Sequence, residues 1–501
     1  MASSGFRQTA LSGARWTAAA KLGLQLFTWP VTIIVIRLLE PGDYGLLAMA
    51  MVTIGFVTLF SEMGLGIALV QARTLDDAMG RAACTAILSC NAVIAGALWL
   101  SAPLVADWFE EPDLTLVIQM LSLEPVISSL AIVPQAQLER QLRFKALSIA
   151  SMTAGGIGSI ATLTMALLGY GVWSLVVGNL ILAAVRTVAI IVYNGRVVWP
   201  SLPRQLKSIR SLIGFSGHVV ASRVLWYWYG QADQLILARL LHASLLGYYS
   251  VAAQLAMLPA NKAMEVINRV SLPILSRLHA EDGSVRAMHQ RLVGLVATYA
   301  FGTCWGLAAV APEFVTVVLG AKWQPATLGL ALLAIVAPLR MLSALNNTVT
   351  TAAGIPQAST AELACAGLVM PLAVLIGAML DGLRGACIAW PVAYPVIFLL
   401  SNALTCKAIK TQQRRGLLPL LGPMIAASTM WLCIWTVRVR YATDIPTGWL
   451  LTVQIVVGAI SYVAVLHAVA LGLAQDARGL LRDLLNPQAN VKTQVNEAIK
   501  H

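Results

Sequence analysis

Apolar residues run along this chain in blocks of about twenty, separated by short polar breaks. The blocks fall near 15–38, 44–70, 83–106, 114–136, 146–168, 171–193, 212–236, 245–270, 292–312, 326–352, 360–380, 385–406, 417–437 and 447–474. A helix of about 20 apolar residues crosses the hydrocarbon core of a bilayer, so the pattern predicts about fourteen spans. Strict alternation of apolar and polar positions is missing, which argues against a transmembrane barrel. The longest breaks, around Asn194–Ser211 and Ser271–Arg291, hold only about twenty residues and leave no room for a large soluble domain. The expected fold class is an all-α polytopic membrane protein.

Composition agrees with that pattern. Of 501 residues, 58% are hydrophobic and 11% charged, and the mean hydropathy is +0.77. A soluble domain carries roughly 25% charged residues, so too little charge is present to cover a water-exposed surface. The net charge of +12 raises the question of nucleic acid. Alternating the spans from a cytoplasmic N-terminus answers it. About 23 lysines and arginines then fall on the cytoplasmic side and about 6 outside, while the acidic cluster Asp107, Glu110, Glu111 and Asp113 falls outside. Such one-sidedness follows the positive-inside rule, and nucleic acid is not needed to explain it. An even number of spans puts both termini in the cytoplasm. The N-terminal stretch MASSGFRQTALSGAR lacks an apolar core before a small-residue site, so no cleaved signal peptide is expected. Seven scattered cysteines show no CxxC pair and read as apolar fillers of helix interiors.

One piece of punctuation occurs twice. RLLEPGDYG at Arg37–Gly45 and RLLHASLLGYY at Arg239–Tyr249 both follow the first span of a half. With Arg37 placed on Arg239, Leu38, Leu39 and Gly45 match Leu240, Leu241 and Gly247. APLV at Ala102 then faces APEF at Ala311, and the segment around Pro125 faces the one around Pro338. The same order at a spacing of roughly 200 to 215 residues implies two halves of six spans, 1–205 and 206–410, with 411–501 adding two helices and a tail. An even number per half makes the repeats parallel, a two-lobe design used by transporters whose lobes rock about a shared site. Pro41 and Gly42 are expected to end the first helix, Asp43 to cap the second, and Gly45 to give a close turn.

These residues carry a family resemblance. RLLEPGDYGLLAMA with SEMGLGIALVQ, and QADQLILARLL, GYYSVAAQLA and INRVSLPILSRL in the second half, resemble the lipid-linked oligosaccharide flippases of bacterial polysaccharide export. That group is the polysaccharide transporter branch of the multidrug/oligosaccharidyl-lipid/polysaccharide superfamily. The resemblance implies two six-helix lobes around a central cavity in the bacterial cytoplasmic membrane. It implies translocation of an undecaprenyl-diphosphate-linked O-antigen or exopolysaccharide unit to the periplasmic leaflet, in company with polysaccharide polymerase and co-polymerase proteins. Family members that flip the peptidoglycan precursor carry an arginine cluster in the first span. Here that span reads LGLQLFTWPVTIIVI, which disfavours that substrate.

Ionisable groups inside spans are costly and point to function. Lys262, Glu265 and Arg269 share one helical face by their three- and four-residue spacing. They read either as a cationic lining for diphosphate or as a self-compensated group whose Arg269 snorkels to water. Arg223, Arg186 and Arg340 are further candidates for phosphate or sugar hydroxyls. Asp233 and Glu124 are candidate coupling or structural acids, as is Glu265; Glu62 lies near a span end. Trp226 and Tyr227 are candidates for sugar stacking, against the alternative of an aromatic belt. No P-loop, catalytic triad or metal-ligand spacing occurs, so neither an enzyme nor a cofactor is expected. Two competing functions remain: a cation-coupled drug exporter of the same superfamily, and a membrane polysaccharide polymerase or ligase.

Overall fold

The computed structural model describes residues 23–59, 69, 77–196, 216–278, 284–409 and 411–469. It is helical, with no strand among the described residues. Contacts divide the chain into two compact units, 1–250 and 251–501.

The first unit begins with α1 (Gly23–Leu38) and α2 (Pro41–Thr58). They are followed by α3 (Asp77–Phe109), α4 (Leu114–Leu121), α5 (Leu123–Arg140), α6 (Phe144–Leu167), α7 (Val172–Asn194) and α8 (Ser216–Leu240). The long helix α9 (Ala243–Leu278) starts here. In the second unit come α10 (Ser284–Ala300), α11 (Ala326–Ala352), α12 (Pro356–Ala408), α13 (Gln413–Tyr441) and α14 (Thr447–Val469). Among the described residues, ten helices are long and apolar enough to cross a membrane, α4 and α5 counting as one. Large apolar side chains such as Leu26, Leu100, Met379 and Leu380 point outward and are more than two-thirds exposed. In water they would be a liability; against lipid they need no partner.

Local chemistry explains the helix ends. Pro41 occupies the first turn of α2, where its missing N–H costs nothing. Glu40 is the N-cap residue, and Asp43 reaches back to accept its backbone N–H at 2.9 Å. The sequence reading is corrected here: Pro41 opens the second helix, and Asp43 caps from inside it. α12 is continuous only in name. Asp381 and Gly382 leave helical geometry, Gly382 at φ +52°. A Cβ on Gly377 would overlap the Gly385 carbonyl, and one on Gly385 would overlap that of Gly377. In a straight helix eight residues span about 12 Å, so the chain must reverse between them. α12 is therefore a hairpin of two arms, matching the separate apolar blocks at 360–380 and 385–406.

Small residues let helices approach. α6 and α7 pack along Ala154, Gly158 and Thr162, with Gly158 against the Gly178 carbonyl and Leu182. Spacing of small residues by four is the usual route to close helix contact in a bilayer. The repeated punctuation is also a contact. A Cβ on Gly45 would overlap the carbonyl of Ala243, and one on Gly247 would overlap the carbonyl of Pro41. Each residue of the second turn lies 202 positions after its counterpart in the first, so the contact is reciprocal. Acids of the α3–α4 connection brace the second turn. Glu110 pairs with Arg239 at 3.0 Å, and Glu111 accepts the Ala243 N–H at 2.8 Å. The alternation of spans had placed these acids and Arg239 on one side of the membrane.

Candidate functional site: a polar cleft in the first unit

A cleft of about 390 Å³ opens among α2, α3, α5 and α7. Its walls are apolar at Met51, Ile54, Ala131 and Ile132. Into this frame project Asn91 from α3, Glu124, Ser128 and Gln135 from α5, and Arg186 and Thr187 from α7. Every one of these helices is a membrane-span candidate, so the polar lining sits where polar groups are expensive. Gly55 keeps the α2 wall flush because Tyr227 occupies the space behind it, with its hydroxyl donating to the Val52 carbonyl at 2.6 Å.

The bonding inside the cleft is uneven. Asn91 spends one amide hydrogen on the Ile87 carbonyl of its own helix, and Thr187 donates to the Ile127 carbonyl at 3.2 Å. Gln135 donates to Glu139 at 2.8 Å. Arg186 has one protein partner among the described residues, Gln135 Oε1, at 3.5 Å. A guanidinium carries five N–H donors, so most of its capacity is unspent. Glu124 lines the same cleft with no hydrogen bond or ion pair among the described residues. An arginine and a carboxylate thus face one space without neutralising each other. That arrangement can take a ligand carrying both anionic oxygens and hydroxyls.

The other sequence candidates stand elsewhere. Arg340 lies with its guanidinium 4.7 Å from the centre of the buried Trp390 ring, a cation–π contact. Asp233 accepts the Tyr249 hydroxyl at 2.6 Å. Trp226 is half exposed and meets Tyr229 edge-on. Tyr227 packs on Phe56 of α2, its hydroxyl committed to backbone. Arg223, Lys262, Glu265 and Arg269 lie on α8 and α9, but their side chains lie outside the described residues, as does all of Glu62. Sequence reasoning named Glu124 and Arg186 separately and missed their neutral company of Asn91, Gln135 and Thr187. Such residues carry no charge signal; only their recurrence in apolar runs distinguishes them. It also missed Glu362, a buried acid at the start of the block at 360–380.

A second ionic centre is of another kind. Glu313, in the short helix Ala311–Phe314, accepts Arg438 Nε at 2.6 Å and Nη2 at 2.5 Å. Gln454 adds a third bond at 3.1 Å, and Arg438 also reaches the Ala309 carbonyl. Burial works against the charge on Glu313, but the hydrogen bonds from Arg438 and Gln454 outweigh it and hold the carboxyl below its ordinary range. This centre ties α13 and α14 to the segment before α11.

The chain is similar in sequence and in fold to known proteins. The lipopolysaccharide biosynthesis protein WzxC of Escherichia coli (strain K12) is 24% identical, the match covering 88% of each chain. The succinoglycan biosynthesis transport protein ExoT of Rhizobium meliloti (strain 1021) is 25% identical over 94% of each. Among solved structures, the lipid II flippase MurJ in an inward closed conformation superposes with a TM-score of 0.71 at 13% identity, covering 91% of this chain and 99% of that one. An inward-facing multidrug resistance transporter of the MATE family and MOP superfamily gives 0.60 at 15% identity, covering 78% and 96%. These two likenesses establish the fold, that of the MOP transporters. A family model described as polysaccharide biosynthesis protein matches residues 34–328, more than half of the sequence. The chain is a multi-pass membrane protein and belongs to the polysaccharide biosynthesis protein family.

Proposed function

We propose that the protein flips a polyprenyl-diphosphate-linked oligosaccharide repeat unit from the cytoplasmic to the periplasmic leaflet of the bacterial inner membrane. One observation carries the reading: the polar cleft holds an arginine and a carboxylate, Arg186 and Glu124, with no ion pair on either among the described residues. Family membership and full-length likeness to a named transport protein support it. The sugar head enters the cleft from the cytoplasm while the lipid tail stays in the bilayer. Arg186 meets diphosphate oxygens, and Gln135, Asn91 and Glu124 meet hydroxyls. Lys262, Arg223, Arg269 and Arg340 are further candidates for contact with the substrate. About fourteen crossings, with both termini cytoplasmic, form lobes 1–205 and 206–410 that alternate in access, and a polymerase with its co-polymerase receives the product.

The test is deletion of the gene in its host, followed by assay of lipid-linked units in each leaflet. Wild type restores export, and Arg186→Ala leaves intact units on the cytoplasmic face. Normal export in the deletion strain sinks the reading. Units that cross but stay unpolymerised shift it to a polymerase.

A further inference from the structure

A second buried polar group lies in the other unit, far in sequence from the cleft. Glu362 opens the first arm of α12 and is 6% exposed. The hydroxyls of Ser401, on the second arm, and Ser343, on α11, sit beside its carboxyl. Asn346, one turn beyond Ser343, donates its amide hydrogen to Ser401 Oγ at 3.3 Å. Its Oδ1 faces His289 Nε2 of α10 at 3.2 Å. His289, Ser343, Asn346 and Ser401 are each no more than 2% exposed.

The direction of these bonds is fixed by chemistry. An amide oxygen only accepts, so His289 Nε2 carries the hydrogen. The Asn346 amide passes its own hydrogen to Ser401, whose hydroxyl lies beside the Glu362 carboxyl with its own hydrogen unspent on Asn346. The chain runs one way, from histidine to carboxylate, across three helices. Among the described residues, His289 Nδ1 and the Ser343 hydroxyl beside the carboxyl are buried without a hydrogen-bond partner. No lysine, arginine or aspartate among the described residues contributes to the surroundings of either His289 or Glu362. Of the described thiols, Cys365 follows Glu362 by one turn on the same arm, and Cys406 on the other arm is engaged with Asn402. A bare carboxylate inside a membrane-spanning bundle, with no cation of the described residues against it, is costly. Something positive must arrive. The few oxygens here, already ordered as donors toward Glu362, suit a proton better than a metal ion, which needs a shell of free oxygen lone pairs.

We propose that His289 and Glu362, linked through Asn346 and Ser401, form a proton-binding site in the membrane-spanning core of the second unit. The site goes beyond the flippase reading and does not depend on it. A proton taken up there from one side of the membrane is where a proton gradient can act on this protein.

Infrared difference spectra of the purified full-length protein in lipid, titrated without any sugar substrate, test this directly. A carboxyl C=O band should vanish as pH rises, be absent in Glu362→Gln, and shift its midpoint by about one pH unit in His289→Gln, as coupled sites do. Glu362→Asp should move the band in frequency without erasing it, which also serves if Glu362→Gln fails to fold. A band that persists unchanged in Glu362→Gln, or stays unmoved in Glu362→Asp, overturns the assignment. So does displacement of the band by sodium but not by choline, which would make the occupant a metal ion. Because no transport is measured, failure here is distinct from failure of the flippase reading.

Discussion

Two arginines of this protein sit in transmembrane helices and behave in opposite ways. Arg438 on α13 spends its guanidinium on Glu313 and the Ala309 carbonyl, at 2.5 to 2.6 Å. Among the described residues, Arg186 on α7 has one bond, at the edge of hydrogen-bond range. Residue type and helix type are the same, so what separates them is saturation. A saturated arginine is part of the scaffold, and an unsaturated one facing a cleft waits for something outside the chain. Charge alone does not reveal this; the partner list does.

Breaking the scaffold arginine should have the largest effect. Arg438→Ala leaves Glu313 buried and unpaired, which typically costs about 3–5 kcal/mol; thermal unfolding of the purified protein should show it, with export lost through lack of folded protein. Arg186→Ala should do the reverse. Melting should stay within about 0.5 kcal/mol of wild type, while affinity for a diphosphate-linked sugar falls roughly tenfold to a hundredfold, the worth of a hydrogen bond to a charged group. If both variants lose stability equally, the contrast is wrong. Gly247→Ala places a methyl against the Pro41 carbonyl and should cost about 1–3 kcal/mol, as overpacking does. Glu313 gives the comparison a pH axis. Its folded-state carboxyl is held below the ordinary value, so its contribution is complete above about pH 4.5. That contribution fades as pH falls through the lowered value. Melting curves should lose this acid-side slope in Glu313→Gln. The smallest effect belongs to Arg384→Ala, whose exposed pair with Asp381 at 3.9 Å should contribute under about 0.5 kcal/mol.

The sequence revealed the helical blocks because lipid demands long apolar runs, a signal that no tertiary contact can override. It revealed the hairpin in α12 because Asp381-Gly382 interrupts such a run. It named Glu124 and Arg186 because ionisable groups stand out there. It put Pro41 at the wrong helix end, since proline marks a boundary without saying on which side the helix lies, and it named Asp43 as a cap of the right helix from the wrong position. The sequence did not single out Arg438, because its partner Glu313 is 125 residues away and pairing at that distance leaves no local pattern. The chain from His289 to Glu362 was invisible for the same reason: it is assembled from three helices, mostly by neutral residues.

The reciprocal contact of Gly45 and Gly247 has one more consequence. Both turns present the same surface, a glycine beside a backbone carbonyl, and each uses its glycine on the other's carbonyl. A surface complementary to itself is what two identical subunits share across a two-fold axis. A chain of half this length with a single copy of the turn would carry both faces of the joint. It could close the joint only against a second copy of itself, so joining the halves in one polypeptide turns what would be an assembly step into a fold.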